Sequence, residues 1–409
     1  MDRILNLISD RIGGKEFGKS TELYKFALIK EAKTRARIAN PELSLIDLGV
    51  GEPDMPADRM IIETLYREAG KAENRFYSDN GTEEFNDTAA KYLHNIYGIN
   101  CIKSGNILHG IGSKPVLAML PMCFINPGDV SLVTVPGYPV ISTWTRYLGG
   151  QVFNLPLLET NNFFPDLDSI PKPILDKAKL LYINYPNNPT GQVATREFYK
   201  RVVEFAYNNN LIVISDAAYG ALTYDGQEPL SFLSVDGAME VGVEVHSLSK
   251  AFNMTGWRMA FVAGNKKVID AYGTIKDNTD SGQFRAIQKA GIYAMNHPEL
   301  TESYRNKYSR RFEMLVNSLN AAGFNSVKPK GTFYCYVKAP IGAEDILFEN
   351  AAAASKYLIE KALISTVPWD DAGAYLRLSV TFEAASEQEE LAILTELARR
   401  LKELKLRFK

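Results

Sequence analysis

The chain has 409 residues, 46% of them hydrophobic and 23% charged, which is enough for roughly two domains with sizeable cores. Its formal net charge of −2 removes any electrostatic ground for a nucleic-acid or anionic-membrane partner. No apolar run approaches the roughly 20 residues that span a bilayer. Residues 1–15 are mixed polar and charged without a secretory pattern, so a cytoplasmic location is expected. Cys101, Cys123 and Cys335 are widely spaced in apolar surroundings, and the four histidines are scattered. Neither set fits a disulfide or metal spacing, and the expectation is buried reduced thiols and no metal site.

In chain order, residues 1–41 read as a polar arm with a charged helix over 22–38. Residues 43–50 read as a strand that breaks at Gly49-Val50-Gly51-Glu52-Pro53-Asp54, where the glycines permit close backbone approach to a ligand. A helix over 57–72 follows, then a loop with Tyr77 and a turn at Asn80-Gly81, then an amphipathic helix over 83–97. Residues 106–110 read as a strand that enters Gly110-Ile111-Gly112-Ser113-Lys114 and an apolar helix over 115–124. Strand, glycine turn and then helix is an order in which a backbone can cradle phosphate at a helix N-terminus. The spacing is neither Walker A nor the dinucleotide fingerprint. A strand over 130–135 ends in Pro136-Gly137-Tyr138-Pro139, which makes Tyr138 a rigid aromatic platform.

A buried strand over 179–184 leads into Tyr185-Pro186-Asn187-Asn188-Pro189-Thr190-Gly191, where the Asn188 amide can donate to a ligand oxygen. After a helix over 197–208, the strand over 211–215 carries Asp216-Ala217-Ala218-Tyr219 at its carboxyl end. The β-branched run 241–245 reads as one more buried strand, followed by His246-Ser247-Leu248-Ser249-Lys250 and, further on, Gly256-Trp257-Arg258. Lys250 is the candidate reactive amine, with Ser247 and Arg258 holding an anion beside it. A primary amine next to an anion clamp suits covalent attachment of an aldehyde cofactor that carries a phosphate. A strand over 258–263, a helix over 266–277 and a polar stretch over 277–288 follow. Beyond them lie a long charged helix over 298–322, Pro329-Lys330-Gly331-Thr332-Phe333-Tyr334 opening a strand to 337, and a helix over 350–361. A strand over 374–382 containing Arg377 and a final helix over 387–405 complete the chain. Taken singly, several residues also have plain structural readings: Lys114 solvated, Tyr77 packing its loop, Asp216 capping a turn, Arg377 exposed on a sheet.

The order of these segments resembles the fold-type I pyridoxal-phosphate aminotransferases of class I/II over essentially the whole chain. That resemblance implies an α/β fold: a large domain on a mostly parallel seven-stranded sheet plus a smaller α+β domain. It divides the chain into 1–60 (N-terminal arm and part of the small domain), 61–299 (cofactor domain) and 300–409 (small domain). It implies pyridoxal 5'-phosphate on Lys250, with the phosphate held by Gly112, Ser113, Lys114, Ser247 and Arg258, and by Tyr77 from a neighbouring subunit. Tyr138 would stack on the ring, Asn188 and Tyr219 would donate to the phenolate oxygen, and Asp216 would hold the pyridine nitrogen. The planar fork of Arg377 and the N–H of Gly51 would take the substrate carboxylate. The substrates are then an amino acid and a 2-oxo acid, and the homodimer rests on the role of Tyr77.

Within this family the chain looks most like the LL-diaminopimelate branch, which implies that substrate with 2-oxoglutarate, in lysine biosynthesis. Transfer from alanine, aspartate or aromatic amino acids, or a β-lyase reaction on the same fold, stays open at this stage. The stretch Val367-Pro368-Trp369-Asp370-Asp371-Ala372-Gly373 departs from the Pro-Gly-x2-Phe-Gly loop of many members. Asp370 and Asp371 would suit a substrate with a distal ammonium group, or else form a solvated turn. Arg285 would suit its distal carboxylate.

Overall fold

The computed structural model describes residues 3–18 and 25–409. They fall into two compact units, one of Gly51–Val316 with Val327–Tyr336 and one of Met1–Val50, Asn317–Ser326 and Val337–Lys409.

The first unit is organised by a seven-stranded sheet of β1 (Ile107–Gly110), β2 (Val130–Val135), β3 (Gln151–Pro156), β4 (Ala178–Asn184), β5 (Ile212–Asp216), β6 (Gly242–Ser247) and β7 (Ala260–Gly264). The strand order is β1-β7-β6-β5-β4-β2-β3, with β7 antiparallel to both of its neighbours and every other pairing parallel. Strands covered on both faces read as near-continuous apolar runs, and β4 and β5 do so, whereas β6 buries Glu244 and His246, paired with each other at 2.8 Å, among its valines. Alternate residues serve opposite faces: Leu180, Tyr182 and Ile214 pack with Val116, Leu120, Ile141 and Ile269, and Leu181, Ile183 and Val213 with Phe85, Tyr199 and Val202. The first face is thus covered by helices Ser113–Phe124, Val140–Tyr147 and Lys266–Asp277, and the second by Glu83–Tyr97, Arg196–Asn208 and Arg285–Asn296.

The expected helices and strands of this unit are present with ends moved by a few residues. Three elements had no clear sequence signal. Helix Val140–Tyr147 is eight residues rich in β-branched side chains, which favour strands on their own. Strand β3 is the sheet's edge and buries little besides Leu155, so it carries no apolar run. Helix Arg285–Asn296 buries Ile292 and Met295, but its other buried residues, Ala286, Gln288, Ala290, Gly291 and Ala294, are small or polar and leave only a weak apolar stripe. Of the polar stretch expected over 277–288, the last residues therefore belong to a helix.

In the second unit the strand expected over 43–50 shrinks to Ile46–Asp47, paired in parallel with Ile364–Ser365. Val367–Trp369 and Tyr375–Ser379 pair antiparallel. Helix Lys25–Ala39 accounts for the described part of the helix expected over 22–38, whose first residues lie outside the described ones. Helices Ala351–Ala362 and Glu387–Glu403 follow expectation closely. Arg400 on the last helix is buried and spends its guanidinium on Glu396 and the carbonyls of Ser44 and Ala362. The three cysteines are free, but only Cys335 is buried. Cys101, just past the end of helix Glu83–Tyr97, is exposed, which corrects the expectation for that thiol.

Candidate active site

Parallel strands bring chain segments that are far apart in sequence to one edge of the sheet. Gly110, Val135, Asn184, Asp216 and Ser247 close β1, β2, β4, β5 and β6 at their carboxyl ends. Because β7 runs antiparallel, its first residue, Ala260, lies level with Gly110 and Ser247 at that same edge. Gly112, Tyr138, Asn188, Tyr219, Lys250 and Arg258 are all within a few residues of this edge, where ligands bind in open α/β sheets.

One part of the edge is built for an anion. Gly112 has φ +82° and leads directly into helix Ser113–Phe124. A Cβ built on it would come within 2.3 Å of Arg258 Nη2, so the guanidinium lies against the loop and only glycine leaves room for it. The first-turn N–H groups of a helix have no intrahelical acceptors. Together with the guanidinium they form a strong site for phosphate. Arg258 Nη1 also donates to the Thr255 carbonyl at 2.9 Å. Ser247 caps helix Leu248–Ala251 by accepting the Ser249 N–H. The Lys114 side chain is exposed, so its place here is that of a first-turn backbone N–H.

Another part carries a buried carboxylate. Asp216 is 4% exposed. Its Oδ2 accepts from the Tyr182 hydroxyl at 3.0 Å and its Oδ1 from the Ala218 N–H at 3.1 Å. Burial raises its pKa to about 6, against the pull of those two hydrogen bonds. Asn184 ties the neighbouring segments together, its Nδ2 donating to the Asp216 carbonyl and its Oδ1 accepting the Asn188 N–H. The hydroxyls of Tyr219 and Tyr334 are hydrogen-bonded at 3.1 Å, and Tyr138 packs half-buried against the face covered by helix Ser113–Phe124.

Lys250 Nζ donates to the Gly51 carbonyl at 2.9 Å and stands 5.6 Å from the Phe333 ring centroid. Gly51 was expected to offer its N–H; its carbonyl is what meets the lysine. The Gly51 loop is pinned by Asp54, a buried carboxylate that pairs with Lys307 and with Arg311 at 3.1 Å.

Two further expected site residues make contacts of their own. Tyr77 is 78% exposed, with its carbonyl accepting from Arg285. Arg377 belongs to the second unit, where it is buried in strand Tyr375–Ser379 and donates to the Gly49 carbonyl at 3.3 Å. Asp370 departs from its expectation. Its two oxygens accept the N–H groups of Ala351 and Ala352 at 2.7 and 3.2 Å, so it caps helix Ala351–Ala362 rather than standing as an uncommitted anion. Asp54 and Tyr334 stand in segments noted in the sequence but without an assigned role, and Tyr182 carries no motif of its own. The one clue to Tyr182 was a hydroxyl inside an otherwise apolar strand, two residues before Asn184. Among the described residues no group of three or more His, Cys, Asp or Glu is placed to hold a metal, and no helix is long and apolar enough to cross a membrane.

A lysine, a buried aspartate and an arginine over a helix N-terminus, at one edge of this sheet, define a cofactor-dependent group-transfer site. Residues 44–397 match the family "Aminotransferase class I and II", and the chain belongs to that family of pyridoxal-phosphate-dependent aminotransferases. It is 56% identical to the LL-diaminopimelate aminotransferase of Methanocaldococcus jannaschii, over 99% of each chain. It is 55% identical to the protein of that name in Methanococcus maripaludis, again over 99% of each. Among solved structures, substrate-bound BacF from Bacillus subtilis superposes with a TM-score of 0.86 at 34% identity, covering 96% of this chain and 97% of that one. Thermus thermophilus aspartate aminotransferase superposes with a TM-score of 0.83 at 25% identity, covering 96% and 99%.

The side chains present fit pyridoxal phosphate. The space kept open at Gly112 under Arg258 suits its phosphate. Asp216, buried and hydrogen-bonded, suits a protonated ring nitrogen, and Lys250 supplies the amine.

Proposed function

We propose that this chain is a cytoplasmic, homodimeric LL-diaminopimelate aminotransferase that passes the amino group to 2-oxoglutarate in lysine biosynthesis. The observation that carries this reading is the 56% identity, over 99% of both chains, with a protein of that name. In it Gly112, Ser113, Lys114, Ser247 and Arg258 hold the cofactor phosphate, with Tyr77 reaching in from the second subunit. Tyr138 stacks on the ring, and Asn188 and Tyr219 donate to its phenolate oxygen. Arg377 and Gly51 orient the substrate carboxylate. When bound, pyridoxal phosphate withdraws electrons from the substrate α-carbon, so that its proton can leave. Asp216 keeps the ring nitrogen protonated and so sustains that withdrawal. Lys250 Nζ takes the α-proton and delivers it within the site, acting as general base and then acid. In the cofactor-free chain the Gly51 carbonyl holds that amine.

The test is glutamate formation from 2-oxoglutarate with LL-diaminopimelate, L-alanine, L-aspartate or L-tyrosine as donor. The reading expects kcat/KM for LL-diaminopimelate to exceed the others by at least about 100-fold, the scale set by leaving a site's polar groups unpaired. A higher value for another donor overturns it, as does ammonia release without any acceptor, which would mark a lyase.

A further inference from the structure

We infer that Gln283 is a positioning residue for the cofactor's phosphate, holding Arg258 in place by a hydrogen-bonded clamp. The inference rests on the reading that Arg258 and the Gly112 loop take a phosphate. Gln283 Nε2 donates to two consecutive carbonyls, those of Trp257 at 2.7 Å and Arg258 at 2.9 Å. Two carbonyl partners fix the orientation of the amide, because only its nitrogen can donate to both. Its Oε1 is therefore the atom facing His109 Nε2 at 2.8 Å, and His109 donates. His109 is in β1, three residues before Gly112, and burial lowers its pKa to about 4, so near neutral pH the ring is uncharged with its proton on Nε2. One side chain thus links the strand that feeds the helix N-terminus to the backbone of the arginine that faces it.

Arg258 needs this support. It adopts φ +57°, a left-handed conformation that non-glycine residues seldom hold without surrounding constraints. The Gln283 backbone extends the clamp to the Tyr77 loop, since its carbonyl accepts from Ser78 Oγ at 2.7 Å and from Gln288 Nε2 at 2.9 Å. Gly282 lets the two loops come this close. A Cβ there would lie 2.5 Å from the Asp79 nitrogen, and its φ is +82°.

The clamp acts on the phosphate grip and leaves the amine and the ring contacts alone. This separates it from general packing. Cofactor-stripped protein is titrated with pyridoxal 5'-phosphate and with phosphate-free pyridoxal, following the absorbance of the lysine-bound aldehyde. Gln283→Met keeps much of the volume and removes the hydrogen bonds. Gln283→Glu keeps the acceptor for His109 and places a carboxylate against two carbonyls. Each variant is expected to bind pyridoxal phosphate at least about tenfold more weakly, the scale of one or two lost hydrogen bonds. Pyridoxal affinity is expected to be unchanged. Whichever variant folds gives the readout. An equal loss for both aldehydes overturns the inference, because it reports a general defect; so does no loss for either. If the unsubstituted protein itself does not prefer the phosphorylated aldehyde, the phosphate reading falls, and the clamp with it.

Discussion

At the scale of single residues, Asp216 shows stability traded for chemistry. Its pKa is raised from 3.8 to about 6 by burial in the cofactor-free chain. A raised carboxylate favours the neutral form in the folded state, so the associated stability is complete below about pH 4 and is lost as pH rises through about 6. Above that range the folded chain bears a desolvation cost on the order of 3 kcal/mol. Asp216→Asn is therefore expected to raise the thermal midpoint of the cofactor-free protein at pH 7.5, with the gain vanishing near pH 4, while transamination falls by at least about 100-fold. Calorimetry and a steady-state assay read the two sides. Tyr182→Phe probes the same carboxylate from the other direction. It removes a donor to the charged form and so raises the Asp216 pKa further. The acid limb of the kcat/KM–pH profile is expected to move to higher pH, and a shift to lower pH would contradict the assignment.

Elements set these residues in place, and their boundaries explain one misplaced expectation. Asp370 looked like a substrate contact because an acidic pair stood where the family usually has a glycine loop. Its partners are the first N–H groups of helix Ala351–Ala362, which begins about twenty residues earlier in the chain. No local pattern announces a cap supplied from so far away. Asp370→Ala is expected to lower stability by about 1 kcal/mol, as for a lost helix cap, and to change KM for diaminopimelate no more than for alanine. Denaturant unfolding and the two KM values check it. Asp54 makes the parallel case for the Gly51 loop. Removing it takes away the carboxylate that buried Arg311 and half-buried Lys307 share. Asp54→Ala is therefore expected to destabilise the chain by about 3 to 5 kcal/mol, measured in the same way.

For the whole molecule, the sheet and its ligand edge were legible in the sequence for a physical reason. The central strands β4 and β5 are apolar almost throughout, and the polar residues Asn184 and Asp216 that break those runs stand at their ends. Gly112, Asn188, Asp216, Ser247 and Lys250 were found by that logic. The clamp of Gln283, the hydroxyl of Tyr182 and the anchor at Asp54 were not, because each acts across gaps of 25 to more than 250 residues and leaves no periodic trace. Tyr77, 78% exposed beside half-exposed Phe76 and Phe284, is the residue whose proposed role needs a second copy of the chain. Sedimentation should find a dimer, and Tyr77→Phe should weaken pyridoxal-phosphate binding by about tenfold, as for one lost hydrogen bond to a charged group.

In the proposed function, Lys250 and its cofactor accept an amino group from LL-diaminopimelate. The most direct test mixes the holoenzyme with one amino acid at a time, without acceptor, and follows the visible band of the lysine-bound cofactor. Rapid loss of the band is expected with LL-diaminopimelate, with its return on adding 2-oxoglutarate and no band to lose in Lys250→Ala. A band that stays through LL-diaminopimelate but disappears with alanine, aspartate or tyrosine would contradict it.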